Sequence, residues 1–302
     1  MGLIHFILDF AALLLWLNWR AKPYDALATA TPATLVGTLR RAESRQLSRW
    51  YFLAALLGLL LLRALLYRAL GPALNWTALL NLVATSLAFK SDSRMLMLLH
   101  SGLSFLVTLA IFYSWLLLIS ALGKGNTDNN APLRLARVQL GRVDAWPLGL
   151  KLALPLAVTA GGWWLLSWPL ARWDLMPPPG SEIIRLAQAA LVGLGSYLAW
   201  KYLVIGLLGL HLLHNHIYFG DQPWWGFVDQ AARRLLAPSR FLPLRLARID
   251  LTPLVGIGLV LLLAHGAEHG LRPPAQLDER GRKMPPAFEL PGLVDLYRKV
   301  SR

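Results

Sequence analysis

Three groups of residues in this chain have the types and spacing to do chemistry. In HLLHNH, His211 and His214 lie three apart and so share one face of a helix, a spacing that suits two ligands of a metal ion or haem iron. No acid or cysteine at a fitting spacing completes the set, so they stand as metal candidates without a third ligand, and no cofactor is expected. HGAEH, His265 to His269, has the H-x-x-E-H order of inverted zinc proteases, but a further ligand would require Glu289 to reach back from a later segment. The third group is ionisable residues inside apolar runs: Asp9, His100 and Lys201. A lysine in hydrocarbon costs about 3 kcal/mol on insertion scales, so Lys201 needs a partner, and Asp9 is a conceivable one. Transport would also call for a broken helix, for which Pro155 followed by Gly161 and Gly162 is the candidate. No catalytic constellation stands beside these groups, and the chain reads as non-enzymatic.

The elements that position such residues are membrane helices. Of 302 residues, 56% are hydrophobic and 15% charged, against roughly 25% charged in an average soluble domain. Several continuous apolar runs reach the ~20 residues that a helix needs to cross the hydrocarbon layer. Lipid offers no partner to unpaired backbone groups, so the expected fold class is all-α, a polytopic helical membrane protein. The runs do not alternate, which argues against a β-barrel. The absence of cysteine excludes disulfides, thiolate metal sites and thioether-attached haem. Asp9 inside the first run, with no basic segment before it, points to a retained helix rather than a cleaved leader.

Six runs look able to span: about 2–18, 50–70, 95–122, 150–171, 183–213 and 252–268. A shorter stretch, 73–89, holds two Asn with Thr and Ser residues and is expected to lie in or dip into the outer interface. The net charge of +14 then reads as topology rather than nucleic-acid binding. Six spans place on one face the linkers that carry Arg20, Lys22, Arg40, Arg41, Arg45 and Arg49, then Lys124, Arg134, Arg137 and Arg142, then Arg233, Arg234, Arg240, Arg245 and Arg248. By the positive-inside rule that face is cytoplasmic. The expected organisation is an N-terminal hairpin over 1–72, an interfacial segment over 73–94, hairpins over 95–172 and 173–270, and a polar, proline-rich tail over 271–302.

The hexapeptide PLRLAR occurs twice, at 132–137 and 243–248, and an Asp-x-x-Pro follows each copy: Asp144 with Pro147, and Asp250 with Pro253. Capping accounts for these types. An Asp or Thr252 can accept from free N–H groups at a helix start, a proline in the first turn costs no hydrogen bond, and a carboxylate complements the helix dipole. Arg142 and Arg248 are the cations placed to pair with the two aspartates. In FVDQAARRLLAPSRFLPL, Phe227, Ala231, Leu235 and Leu236 share one helical face away from Asp229, Arg233 and Arg240, the layout of a helix lying among lipid headgroups. Trp224 and Trp225, with Trp163, Trp164, Trp168 and Trp173, read as interfacial anchors.

Read whole, PWWGFVDQAARRLLAPSRFLPLRLARIDLTPLVGIGLVLLL resembles the hairpin of the YggT family of small bacterial and plastid membrane proteins. Pro223, Pro238, Arg240, Pro243, Asp250, Thr252, Pro253, Leu254 and Val255 carry the likeness, and Pro132, Arg134, Asp144 and Pro147 supply a second hairpin. Ala247 and Arg248 stand where paired glycines are usual, and the first ~90 residues have no counterpart. The resemblance implies a bacterial inner-membrane protein with cytoplasmic basic linkers, linked to envelope organisation, osmotic stress or the assembly of membrane complexes, and no enzymatic activity. Its partners would be the bilayer and other membrane proteins or a second copy of itself, not nucleic acid.

Overall fold

The computed structural model describes residues 2–20, 49–73, 76–123, 130–178, 180–217, 223–237, 245–246, 249–271 and 289–301. They are mostly helical. The order is α1 (Gly2–Arg20), α2 (Arg49–Ala73), β1 (Ala78–Asn81), β2 (Ser86–Phe89), α3 (Arg94–Leu122), α4 (Ala131–Leu140), α5 (Leu148–Arg172), α6 (Glu182–Gly195), α7 (Trp200–His216), α8 (Pro223–Leu235), β3 (Arg245–Leu246), β4 (Ile249–Asp250), α9 (Thr252–His269), β5 (Gly270–Leu271), β6 (Leu290–Pro291) and α10 (Leu293–Val300). Six stretches are long and apolar enough to cross a membrane: α1, α2, α3, α5, α6 continued by α7, and α9. They coincide with the six apolar runs of the sequence.

The chain divides into two compact units, Met1–Ala78 with Phe89–Leu109, and Leu79–Ala88 with Ala110–Arg302. In the first, α1 lies along α2, and burial is inverted relative to a soluble protein. Leu3, Phe6, Trp50 and Tyr51 are exposed, whereas Asp9, Arg63, His100, Ser101 and Ser104 are buried. Apolar residues outside and polar residues inside is the arrangement a hydrocarbon solvent favours, and it marks a multi-pass membrane protein.

In the second unit the tightest helix packing joins α5 to α6. A Cβ on Gly193 would approach Ala160 Cβ to 2.9 Å and Leu156 O to 3.0 Å, so only glycine permits this backbone approach. α6 starts at Ser181, whose hydroxyl accepts from the N–H of Ile184 at 3.3 Å. α7 packs against both α8 and α9.

In the stretch read as interfacial, β1 and β2 pair as a two-stranded hairpin around Leu82–Thr85. One expectation is corrected. Pro155 does not break α5, which runs unbroken from Leu148 to Arg172. The discontinuity lies instead in the fifth span, where Ser196–Ala199 tightens to a 3-10 turn between α6 and α7. There Trp115 Nε1 donates to Ala199 O at 2.9 Å, and Tyr197 Oη donates to Leu152 O at 2.7 Å, so the irregular turn is tied to α3 and α5.

The tail also carries structure. β6 pairs antiparallel with β5, Gly270 opposite Pro291, and α10 then docks on α6 with Tyr297 buried beside Trp163. Gly270 has φ +80°, and a Cβ there would overlap Leu290 O. Trp163 and Trp225 are buried within the protein, while Trp164, Trp168 and Trp173 are exposed.

Candidate functional site

The two PLRLAR copies do not share a structure. The first lies in α4, with Pro132 in the opening turn, where its missing N–H costs nothing. Of the second, Arg245–Leu246 forms β3, paired with β4 so that Arg245 stands opposite Asp250 in register. Pro238, Arg240, Pro243 and Arg248 lie outside the described residues, and of Arg245 and Asp250 only the backbone is described. The amphipathic helix of the later segment is α8, and it packs directly on α4. Leu133 joins Trp225, Phe227, Val228 and Ala231 in one buried cluster at this junction. The apolar face read in the sequence is the buried face: Phe227 and Ala231 are fully buried, Leu235 is half-buried, and Arg233 and Arg234 point outward. Arg134, Arg137 and Arg142 are exposed on the neighbouring segment. The outcome is a platform of two short helices with an apolar underside and arginines on its exposed faces.

Carboxylates pin both helices to spanning helices. Asp144 does not cap α5: the cap position is Pro147, whose side chain has nothing to donate or accept. Asp144 sits in a 3-10 turn, Gly141–Ala145, and accepts a hydrogen bond from Ser120 Oγ of α3. Its oxygens also lie 3.7 Å from Lys151 Nζ of α5 and 3.9 Å from Arg137 Nε of α4. Lys151 is buried and donates to Ser120 Oγ at 2.7 Å. Arg142, the cation expected to pair with Asp144, makes no ion pair with it. At the other helix, Asp229 Oδ1 lies 2.8 Å from His211 Nδ1, and Oδ2 lies 3.7 Å from His214 Nε2. His214 stacks on Trp225 with ring centroids 4.7 Å apart. Arg234 additionally donates to Leu122 O at the end of α3. At α9, Leu251 holds the cap position, with Thr252 and Pro253 inside the first turn.

The histidine pair has thus gained an acid that local spacing could not reveal, since Asp229 comes from the next helix. Its Oδ1 is engaged with the His211 ring, and among the described residues no group of three His, Cys, Asp or Glu side chains has a metal-binding geometry. In HGAEH, His265 stacks on His269 at 4.8 Å, and Glu268 pairs with Lys201 at 3.2 Å. Lys201 therefore finds its partner on α9, and Asp9 is not that partner.

Asp9 pairs instead with Arg63, a residue that the sequence reading passed over because it lies inside an unbroken apolar run. Arg63 is 1% exposed and sits midway along α2. Its Nη1 lies 2.6 Å from Asp9 Oδ1, and its Nη2 donates to Ser104 Oγ at 2.9 Å and faces His5 Nδ1 at 2.7 Å. Tyr67 Oη is 2.9 Å from the same nitrogen. His100, fully buried, packs at tilted or edge-on angles against His5, Tyr67 and Phe89. The available signals were a lone arginine in LLRALL and the His5/Asp9 spacing of one helical turn.

Comparison with protein families, curated proteins and solved structures finds no match for the chain.

Proposed function

We propose that this chain is a non-catalytic organiser of other membrane proteins, built on YggT-like hairpins and residing in a bacterial inner membrane with its basic linkers cytoplasmic. The observation that carries the reading is the joint platform of α4 and α8, apolar beneath and basic above, held by Asp144 and Asp229 to the spanning helices. An in-plane helix of this kind seats at the headgroup layer, with its arginines toward lipid phosphates or the acidic linkers of a neighbouring protein. Envelope organisation, osmotic stress response and assembly of membrane complexes are the processes such a platform suits.

The test is photocrosslinking in native membranes from Val138 and Arg233, both exposed. Discrete protein adducts are expected, and they should disappear in Asp229→Ala, which frees α8, and in Arg142→Glu/Arg233→Glu, which reverses charge without touching the buried face. Adducts to lipid alone, or protein adducts unchanged by both variants, would overturn the proposal.

A second reading, a small ion transporter, draws on the broken fifth span and the Lys201–Glu268 pair beside it. Flux in proteoliposomes that is lost in Lys201→Leu would favour it over the first. A third reading, haem or metal handling through His211 and His214, requires a Soret band or bound metal in the purified protein.

A further inference from the structure

The first unit holds its charge where nothing in the platform needs it. Around His5 on α1 stand Asp9 from the same helix, Arg63 and Tyr67 from α2, and His100 and Ser104 from α3. These are the titratable and charged groups that face the ring. A guanidinium only donates hydrogen bonds. Arg63 Nη2 lies 2.7 Å from His5 Nδ1 and 3.1 Å from Nε2, so at least one ring nitrogen must present a lone pair to it. The nearer is Nδ1. The other nitrogen, Nε2, faces acceptors: Ser104 Oγ at 3.2 Å and Asp9 Oδ2 at 3.5 Å. With Tyr67 Oη, 2.9 Å away, donating to the same Nδ1 lone pair, the arrangement suits neutral His5 with its proton on Nε2, alongside one positive and one negative charge.

A second proton cannot be added without consequence. Protonated Nδ1 would set an N–H against the N–H of Arg63, so the proton and the guanidinium exclude one another at this lone pair. The imidazolium would also compete with Arg63 for Asp9, the counter-charge they share. His5 lies in the first turns of α1, close to the end of the span, with its side chain 30% exposed, whereas Arg63 is enclosed and its Nε has no hydrogen-bond partner among the described residues. A donor left unpartnered in a buried site is costly, which makes the Arg63 position one that a modest competing charge can shift.

We propose that the His5–Asp9–Arg63 cluster is an intramembrane proton-binding site, in which a proton on His5 displaces the Arg63 guanidinium and loosens α1 from α2. The site belongs to the first unit and is independent of the platform, so it stands or falls separately from the function proposed above. The step is a proton transfer from water to the Nδ1 lone pair, with no other bond made or broken.

The chain has no cysteine, so Leu14→Cys/Leu57→Cys gives two unique spin-label sites on exposed positions of α1 and α2. In nanodiscs the label separation is expected to change as the pH falls from about 8 to 4, through and below the ordinary histidine range because Arg63 opposes the proton, in step with a change in the ¹⁵N signals of one histidine. Both changes should vanish in His5→Gln, whose amide oxygen still accepts from Arg63 but cannot take a proton. Arg63→Gln should raise the midpoint by a pH unit or more, a tenfold gain in proton affinity. A pH-independent separation, a change that persists in His5→Gln, or an unmoved midpoint in Arg63→Gln would overturn the proposal. If Arg63→Gln fails to fold, the ¹⁵N titration of the otherwise unaltered chain decides alone: no histidine taking up a proton with a shift from the Nε2–H tautomer overturns it.

Discussion

Asp9→Leu should be among the most damaging single changes in the protein. It leaves Arg63, 1% exposed, without a counter-charge, holding only Ser104 and His5 as acceptors. Removing one member of a buried ion pair costs about 3–5 kcal/mol in soluble proteins. The low end applies here, because a membrane-embedded unfolded state also finds partners; about 3 kcal/mol is a hundredfold loss in the folded fraction of the first unit. Arg63→Leu should cost less, about 1–3 kcal/mol, because Asp9 retains Ser104 Oγ at 3.3 Å and the His5 ring at 3.5 Å. Asp9→Leu/Arg63→Leu removes both charges and leaves the His5–Tyr67 contact at 2.9 Å, so it should be more stable than Asp9→Leu alone. The assay is reversible denaturation of the four proteins in detergent, read as a double-mutant cycle. A coupling below about 0.5 kcal/mol, the range in which independent sites add, would refute the picture of a mutually dependent pair.

Gly270→Ala should undock the C-terminal helix. A non-glycine residue is strained at φ +80°, and the added methyl would overlap Leu290 O and Gly292 N, so β5 and β6 cannot pair; faster proteolysis within residues 293–301 checks it, and unchanged protection would count against it. Burial pushes the Tyr297 phenol above its ordinary value of 10.0. The folded state thus holds it neutral while the unfolded chain ionises first, and docking of α10 should be at full strength below pH 10 and weaken as the pH climbs above it. Ultraviolet phenolate absorbance with proteolysis tracks this, and Tyr297→Phe should abolish the pH dependence.

The spanning helices were legible because hydropathy is a local property: each of the six runs carries its own signal without reference to the others. What was not legible was pairing. Asp229 meets His211 at a separation of 18 residues, Glu268 meets Lys201 at 67, and Arg63 meets Asp9 at 54. Nothing in the spacing of one partner names the other. PLRLAR shows the converse failure, in which identical residues signal identical structure. The first copy is bounded by Pro132 and Gly141 and becomes helix α4, whereas part of the second is drawn into a strand pair. Local sequence sets a preference of a few tenths of a kcal/mol per residue, and the segments on either side override it. Asp144 was legible as important but not in its role, since a capping residue and a tether look alike until Ser120 and Lys151 are in place.

The order in which Asp9 and Arg63 emerge from the ribosome gives their pairing a temporal side. Asp9 is made before Arg63, and an aspartate near the middle of a helix costs about 3 kcal/mol to bury in lipid on its own. Its counter-charge is 54 residues further along, roughly 3 to 11 seconds of synthesis at about 5–20 residues per second. For that interval α1 is a poor membrane segment. Pairing with Arg63 removes that cost, so α1 is expected to become a stable membrane segment only once α2 has been made.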